Sequence, residues 1–434
     1  MNLYQRSLKA ILMILVILIP LSTMACVTQS PTSSGSGETT SANHFEVSSE
    51  PSSDAESTGE PAFPEESTSE VQSNQTGVSV GSDVSLAAAQ GLRSAVSIYC
   101  TFTVKSYFGT NSAASAGSGV IYKLDAESGS AFVITNYHVV YNSSSTTENG
   151  ISDDINVCLY GMESEEYAIP ASYVGGSANY DIAVLRIENS SLLKSAYSYG
   201  SITEAVLSDS DRIRVGQTAI AIGNPEAKGI SVTTGIVSVD SEYITMSASN
   251  GSGAVAFRVI RIDTAVNSGN SGGGLFDGEG HLIGIVNAKI SASDVENIGY
   301  AIPSNVARAI ADNIIDYCFE KDCETVMRGL LGISVQVAAL GTDYDPETGI
   351  IYRYEKIRVA EVTAGGLGEK ILKTGDIVKR IEIGGKSIQV TRQYHLIDAM
   401  LDVRVGDTVT LTVERDGESV TVETVITEDC LAAY

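Results

Sequence analysis

The fold is read outward from Asp263-Thr264-Ala265-Val266-Asn267-Ser268-Gly269-Asn270-Ser271-Gly272-Gly273-Gly274. Glycine is used where the backbone must adopt conformations closed to other residues or let a ligand approach its amides. A serine set among four such glycines is a candidate nucleophile, because the same turn aims the amides of Gly269 and Ser271 at a developing oxyanion. A Gly-rich hairpin or linker has the same composition, so the reading depends on what accompanies the serine.

A serine hydroxyl is a weak nucleophile and needs a base, which in turn needs an orienting carboxylate. The chain has 4 histidines, so the search is short. His138 ends Ala131-Phe132-Val133-Ile134-Thr135-Asn136-Tyr137-His138-Val139-Val140, an apolar β-branched run that reads as a buried strand giving out into a turn. His44 lies in a polar low-complexity region, His281 follows Gly280 in an expected hairpin, and His395 sits in a helical pattern. For the carboxylate, Asp181 opens Asp181-Ile182-Ala183-Val184-Leu185-Arg186-Ile187 at the mouth of a second apolar strand.

The chain order His138, Asp181, Ser271 is that of the chymotrypsin-type proteases. Blocks in the same order carry a closer resemblance: Gly117-Ser118-Gly119-Val120-Ile121, Thr135 to Val140, Asp181 to Leu185, Ala221-Ile222-Gly223-Asn224-Pro225, Thr234-Gly235-Ile236-Val237-Ser238, Gly269 to Gly273 and Gly299-Tyr300-Ala301-Ile302-Pro303. Together they resemble the HtrA (DegP-like) family of trypsin-fold serine proteases. The resemblance implies a mainly β fold, a chymotrypsin-like double β-barrel of two six-stranded barrels, with His138 and Asp181 from the first and Ser271 from the second. It implies acyl transfer without a cofactor or metal. Ser271 attacks a peptide carbonyl, His138 moves the proton, Asp181 holds the imidazole tautomer and the Gly269 and Ser271 amides receive the oxyanion. Ala265, six before the nucleophile, stands where an aspartate would select Lys or Arg, so a small apolar S1 pocket is expected. Ser268 and Gly274 replace prolines usual in the family, which loosens the loop and points to an oxyanion turn ordered by ligand or oligomer contacts.

The charge balance narrows the partners. A net charge of −26 argues against nucleic acid and anionic membrane surfaces, both of which call for a basic face. Arg6 and Lys9 precede the aliphatic run Ala10 to Ile19 and then Leu21-Ser22-Thr23-Met24-Ala25-Cys26, the pattern of a secretory signal. Ala25-Cys26 resembles a bacterial lipoprotein cleavage site with Cys26 as the lipidated residue, and an uncleaved anchor is the alternative. Either places the remainder outside the cytoplasmic membrane. From Val27 to about Ser85 the chain is Ser, Thr, Glu, Gly and Pro, with no Lys or Arg between Lys9 and Arg93, and reads as a disordered acidic tether.

Strand-like runs fill about 93 to 305: Ala95–Val104, Gly117–Tyr122, Ala131–Val140, Ile155–Tyr160, Ile213–Ile222, Ile230–Val239, Phe257–Ile262 and His281–Ile290. Many short strands without intervening helices indicate a barrel or sandwich. Asn305 to Phe319 carries apolar residues at helical spacing. From Gly329 to Ile426 the pattern changes to a turn into the strand Ile333-Ser334-Val335-Gln336-Val337, a helix with Tyr394, Ile397, Met400 and Leu401 on one face, and a hairpin turning at Asp416-Gly417. This resembles a PDZ domain (α+β), which implies that Leu330-Leu331-Gly332-Ile333 holds a peptide C-terminal carboxylate while the peptide pairs with the strand from Ile333. The segment Thr363 to Lys373 departs from the usual PDZ pattern through Gly365-Gly366 and Lys370.

The expected domains are a signal segment 1–26, a tether 27–85, a protease 86–322 and a PDZ domain 323–430. Of 6 cysteines, Cys100 and Cys158 fall in first-barrel strands and Cys318 and Cys323 flank the interdomain link, with no metal-site spacing. The functional expectation is an extracytoplasmic endopeptidase acting on unfolded or misfolded polypeptides, trimeric by resemblance. The alternatives are a membrane-tethered regulatory protease with one dedicated partner and a non-catalytic chaperone or PDZ binding protein.

Overall fold

The computed structural model describes residues 84–106, 109–288, 298–318, 326–347 and 349–433. Cys26, His44, the apolar run at 10–19 and the tether up to 83 lie outside the described residues, as do Cys323 and the side chain of Cys318. Among the described residues no helix is long and apolar enough to cross a membrane.

In chain order the first part comprises helix α1 (Val84–Leu92), strands β1 (Ala95–Ser106), β2 (Gly109–Asp125) and β3 (Ser130–Thr135), helix α2 (Tyr137–Val140), strands β4 (Asp154–Leu159), β5 (Ile169–Ser177) and β6 (Ile182–Ile187), and helix α3 (Ser191–Ser198). Then follow β7 (Thr218–Gly223), β8 (Ser231–Ser247), β9 (Ala254–Ile262), β10 (Gly274–Phe276), β11 (Leu282–Val286), β12 (Gly299–Pro303) and helix α4 (Ser304–Cys318). The six strands β1 to β6 close into one barrel in the order β1-β2-β3-β6-β5-β4, and β7 to β12 close into another as β10-β11-β12-β9-β8-β7.

Strand periodicity explains why several of these strands are continuously apolar. Side chains alternate between faces, and here both faces are covered. In β6, Ala183, Leu185 and Ile187 point into the first barrel with Val96, Ile98 and Val133. Ile182 and Val184 join Ile134 of β3, Ile220 and Ile222 of β7, Phe276 of β10 and Ile310 and Ile314 of α4 in a cluster between the barrels. The second barrel keeps its own interior of Ala219, Ala221, Val237, Ile260, Leu275 and Ile283. Each large side chain so removed from water contributes roughly 1.5–3 kcal/mol, so the inter-barrel cluster holds firmly the cleft that its two halves must share.

The run 131–140 is strand only to Thr135, after which α2 takes one helical turn. The run from Ile213 is strand only from Thr218. Helices do intervene: α3 starts on Ser190, whose hydroxyl accepts from Leu193 N at 3.2 Å, a side-chain N-cap. The expected tether end at 85 is already helical, because α1 seats Ala87 and Ala88 in the inter-barrel cluster.

The C-terminal part contains β13 (Met327–Gly329), β14 (Ile333–Asp345), β15 (Ile350–Val362), β16 (Ile377–Ile383), β17 (Lys386–Gln389), helix α5 (Gln393–Ala399), β18 (Thr408–Arg415), β19 (Glu418–Val425) and β20 (Leu431–Ala433). Its sheet runs β14-β15-β16-β18-β19 with β17 on β16, and β13 pairs with β20. The β18–β19 hairpin turns at Asp416 and Gly417, both at positive φ, as the Asp-Gly pair predicts. Helix α5 is shorter than its pattern and ends before Met400 and Leu401. It buries Tyr394, His395, Leu396 and Ala399, while Ile397 is only half-buried. Cys100, Cys158 and Cys430 are buried free thiols.

Candidate active site

Asp181 and His138 come from turns at the ends of β5 and β3 and meet at the mouth of the first barrel. Asp181 is almost fully buried and adopts φ +55°, a left-handed conformation that Asp tolerates better than most residues. Its backbone carbonyl accepts from Asn136 Nδ2 at 2.8 Å and Tyr137 N at 3.2 Å. Its Oδ1 accepts from His138 N at 3.0 Å, and its Oδ2 lies 2.6 Å from His138 Nδ1. These bonds, not local propensity, wind Tyr137-His138-Val139-Val140 into one turn of helix.

Two further donors reach the carboxylate from the second barrel. Ser249 Oγ donates to Oδ1 at 2.6 Å and Asn287 Nδ2 to Oδ2 at 2.8 Å. Burial alone would raise the Asp181 carboxyl, but His138 and the hydrogen bonds outweigh it and hold the group below the usual carboxylate value. An ionised carboxylate only accepts, so the nitrogen facing it carries the proton. This fixes Nδ1–H and leaves Nε2 with the lone pair a base requires.

Ser271 sits in the loop between β9 and β10, buried, with its hydroxyl accepting from Ala288 N at 3.2 Å. Among the described hydrogen bonds none joins it to His138. The loop is cross-braced by Ser118 of β2. Its amide donates to Ser271 O at 2.8 Å, its hydroxyl donates to Gly269 O at 2.7 Å, and the same hydroxyl accepts from Asn224 N at 2.7 Å. Gly269 has φ +97°, and a Cβ there would stand 2.2 Å from Asn224 O. Neither the Gly269 nor the Ser271 amide is spent on another acceptor among the described residues.

Ala265 is exposed at the start of the same loop, its carbonyl accepting from Thr233 Oγ1 at 2.8 Å. Residues 289–297, which follow Ala288, are outside the described part. In the C-terminal sheet, Leu331 is buried, Leu330 is exposed, Gly332 has φ +68° and Ile333 begins β14, whose outer edge is unpaired among the described strands. The departure at Thr363–Lys373 is a packing solution: Gly366 lies against Gly332, where a Cβ on Gly332 would come within 2.8 Å of Gly366 Cα. Among the described residues no group of His, Cys, Asp and Glu is arranged to hold a metal ion.

Sequence reasoning expects His138, Asp181 and Ser271 together with a loosened serine loop, whereas the structure sets His138 against Asp181 and braces the Ser271 loop through Ser118. It misses Ser249, Asn287 and the bracing role of Ser118. Ser118 was within reach, as the hydroxyl residue of Gly117-Ser118-Gly119 at a strand centre; Ser249 sits in a turn indistinguishable from a solvated one.

Similarity to known proteins follows the same division of the chain. The trypsin-like peptidase domain family matches residues 117–285 and the PDZ domain family residues 329–426. Serine protease Do-like HtrA of Lactococcus lactis subsp. cremoris (strain MG1363) is 31% identical over 386 residues, spanning 82% of this chain and 85% of its own. Its namesake in Bacillus subtilis (strain 168) is 35% identical over 331 residues, 73% of this chain and 66% of its own. Periplasmic serine endoprotease DegP of Escherichia coli (strain K12) is 34% identical over 313 residues, and the chain spans 56% of its length. Among solved structures, the HtrA-type protease AlgW with decapeptide aligns at TM-score 0.50 and 25% identity, over 81% of this chain and 99% of its own.

Proposed function

The chain belongs to the HtrA family of Do-like serine proteases, and from that premise we propose that it is an endopeptidase whose nucleophile is Ser271, whose base is His138 and whose orienting carboxylate is Asp181. The observation that carries the reading is the 2.6 Å His138 Nδ1–Asp181 Oδ2 contact, which leaves Nε2 as the proton acceptor in a cleft where a braced serine waits. Ser271 Oγ adds to the scissile carbonyl as its proton passes to His138 Nε2. The tetrahedral oxyanion is received by the Gly269 and Ser271 amides, each such donor being worth roughly 10²–10³ in rate. His138 then returns the proton to the leaving amine, and water repeats the sequence on the acyl-enzyme.

The exposed, uncharged Ala265 supports cleavage after small apolar residues such as Val, Ala or Ile. The unpaired edge of β14 and the loop Leu330 to Ile333 support capture of a peptide C-terminus by strand addition. One relative's structure is described as holding a decapeptide and another relative is described as periplasmic. By analogy, the substrates proposed here are unfolded or misfolded polypeptides met outside the cytoplasmic membrane, with the chain held there through a lipid on Cys26 or an apolar anchor. A homotrimer is the assembly proposed with it.

The test is turnover of casein by the full chain beside its Ser271→Ala variant, with the new termini sequenced. Ser271-dependent cleavage after small apolar residues is expected. Equal loss of cleavage in both, with aggregation suppressed by both, would replace the reading with a non-catalytic chaperone. Efficient cleavage of a Lys-only reporter would overturn the Ala265 assignment.

A further inference from the structure

The carboxylate of Asp181 belongs to the first barrel, yet half of its hydrogen bonds come from the second. Asn287 follows β11 and stands beside the serine loop. Ser249 comes from elsewhere, the turn joining β8 to β9, the strand pair whose register runs to Ser247 opposite Ala254. That hairpin is long enough to cross the cleft. At its tip, Ser249 N donates to Ala178 O at 2.9 Å and Tyr141 Oη donates to Asn250 O at 3.5 Å. The tip is therefore tied to the chain on both sides of the pair, three residues before Asp181 and three after His138. The Ser249 hydroxyl then closes on Oδ1 at 2.6 Å.

We propose that Ser249 is a positioning residue for the reaction: its hydroxyl fixes the rotamer and the charge distribution of Asp181, so that the imidazole is held correctly only when the β8–β9 hairpin is docked across the cleft. The inference rests on the triad assigned above. The carboxylate's contacts support it. Among the described residues, Oδ2 is shared between His138 and Asn287, while Oδ1 has only the His138 amide besides Ser249. Without the hydroxyl, Oδ1 is left under-bonded and Asp181 gains freedom to rotate away from Nδ1. His138 is the titratable side chain in contact with the carboxylate; Ser249 and Asn287 are neutral. A cleft of about 370 Å³ lined by Tyr141, Asn142, Ser143 and Ala248 to Gly251 adjoins the hydroxyl. Water entering from it replaces the lost donor in part, which limits the effect.

The experiment compares the full chain with its Ser249→Ala and Ser249→Thr variants. Sites are counted by titration with a serine-directed fluorophosphonate, and kcat and KM for one peptide are followed across pH. For Ser249→Ala the expected result is kcat per titrated site lower by about 10-fold, the size of one hydrogen bond to a charged group. KM should stay nearly unchanged and the acidic limb of kcat/KM should shift. Ser249→Thr, which keeps the hydroxyl, should restore both. If Ser249→Ala loses only titratable sites, with per-site kcat and the acidic limb as in the parent, the hydroxyl merely supports the fold and the proposal is overturned. A second readout needs no turnover: the low-field proton resonance of the His138–Asp181 hydrogen bond should shift or broaden in Ser249→Ala and persist in Ser249→Thr. An unchanged resonance in Ser249→Ala overturns the proposal even if the parent chain cleaves nothing, whereas loss of Ser271-dependent turnover alone speaks against the triad.

Discussion

The guanidinium of Arg258, on β9 of the second barrel, stacks on the ring of Tyr394 in helix α5, its central carbon 3.8 Å from the ring centroid. Asp211 and Asp398 flank it, with Arg258 Nη2 2.8 Å from Asp211 Oδ1 and Nη1 3.2 Å from Asp398 Oδ2. The second pair lacks an aligned hydrogen bond, so it is held by charge. Arg392 adds a bond to Asp240 at 2.9 Å. A buried cation stacked on an aromatic ring thus joins the PDZ domain to the protease.

Arg258→Met keeps much of the side chain's volume and deletes the charge. Removing one partner of a buried pair costs about 3–5 kcal/mol because the other charge is stranded. The expected result is faster hydrogen exchange in α5 at neutral pH, with β1 to β6 unaffected. Protection of α5 equal to the parent's would mean that the stack contributes nothing to docking.

The same cluster sets a pH dependence. Burial raises the Asp398 carboxyl from the ordinary 3.8 to about 6, against the pull of Arg258. An acid raised on folding holds a proton that the unfolded chain has released, so stability rises as pH falls from about 6 towards 4, by up to about 3 kcal/mol. Asp181, Asp211 and Asp312 run the other way. Burial would raise each, but His138 for the first, Arg258 for the second and Lys123 with Tyr122 for the third lower them below 3.8. Their stabilisation is present above that value and lost as pH falls further. Urea midpoints measured from pH 8 to 3 should therefore pass through a maximum on the acid side of neutrality. Asp398→Asn should flatten the rise between 6 and 4, and an undiminished rise in that variant would sink the assignment.

At Gly269 a methyl group has no room and the wrong backbone. With φ +97°, Asn224 O at 2.2 Å and Glu226 N at 2.8 Å from a Cβ, Gly269→Ala must move the loop whose amides are proposed to receive the oxyanion. Turnover should fall about 10²–10³-fold, as for loss of one such donor, while thermal unfolding of the barrels changes little. Activity within tenfold of the parent would show that the Gly269 amide is not a donor to the oxyanion.

What was legible in the sequence was what local pattern encodes. The apolar strands around His138 and Asp181 read as buried because the barrel interior and the inter-barrel cluster cover both faces. The Asp416-Gly417 turn read correctly because positive φ at both positions is a local demand. The helical turn at His138 did not, since its Val139 and Val140 favour strand and the bonds that wind it come from Asp181, 43 residues away. Ser249 was illegible for the same reason in stronger form. Ser249-Asn250-Gly251-Ser252-Gly253 has the composition of a solvated turn, and its partner lies 68 residues off across a cleft that exists only after both barrels close.

The last prediction concerns Gly332. Its φ of +68° and the 2.8 Å from a Cβ to Gly366 Cα mean that Gly332→Ala strains the turn by about 1–2 kcal/mol or displaces it. The turn's shape is held by Gly332 O accepting from Thr363 N at 2.8 Å and Leu331 O accepting from Gly368 N at 2.7 Å. Among the described bonds the Leu331 and Gly332 amides are left without a protein acceptor, and they lie directly before β14, an edge strand of its sheet. If those amides receive a peptide carboxylate, two changes must be coupled. Amidating the C-terminus of a bound peptide should weaken binding at least tenfold to the parent chain and hardly at all to Gly332→Ala, where the loop has already lost the carboxylate. A calorimetric cycle over the two proteins and the two peptides measures this coupling directly. Equal penalties for amidation in both proteins would show that the terminus is held elsewhere, and that any peptide lying along β14 is gripped by strand pairing and side-chain pockets without the help of this loop.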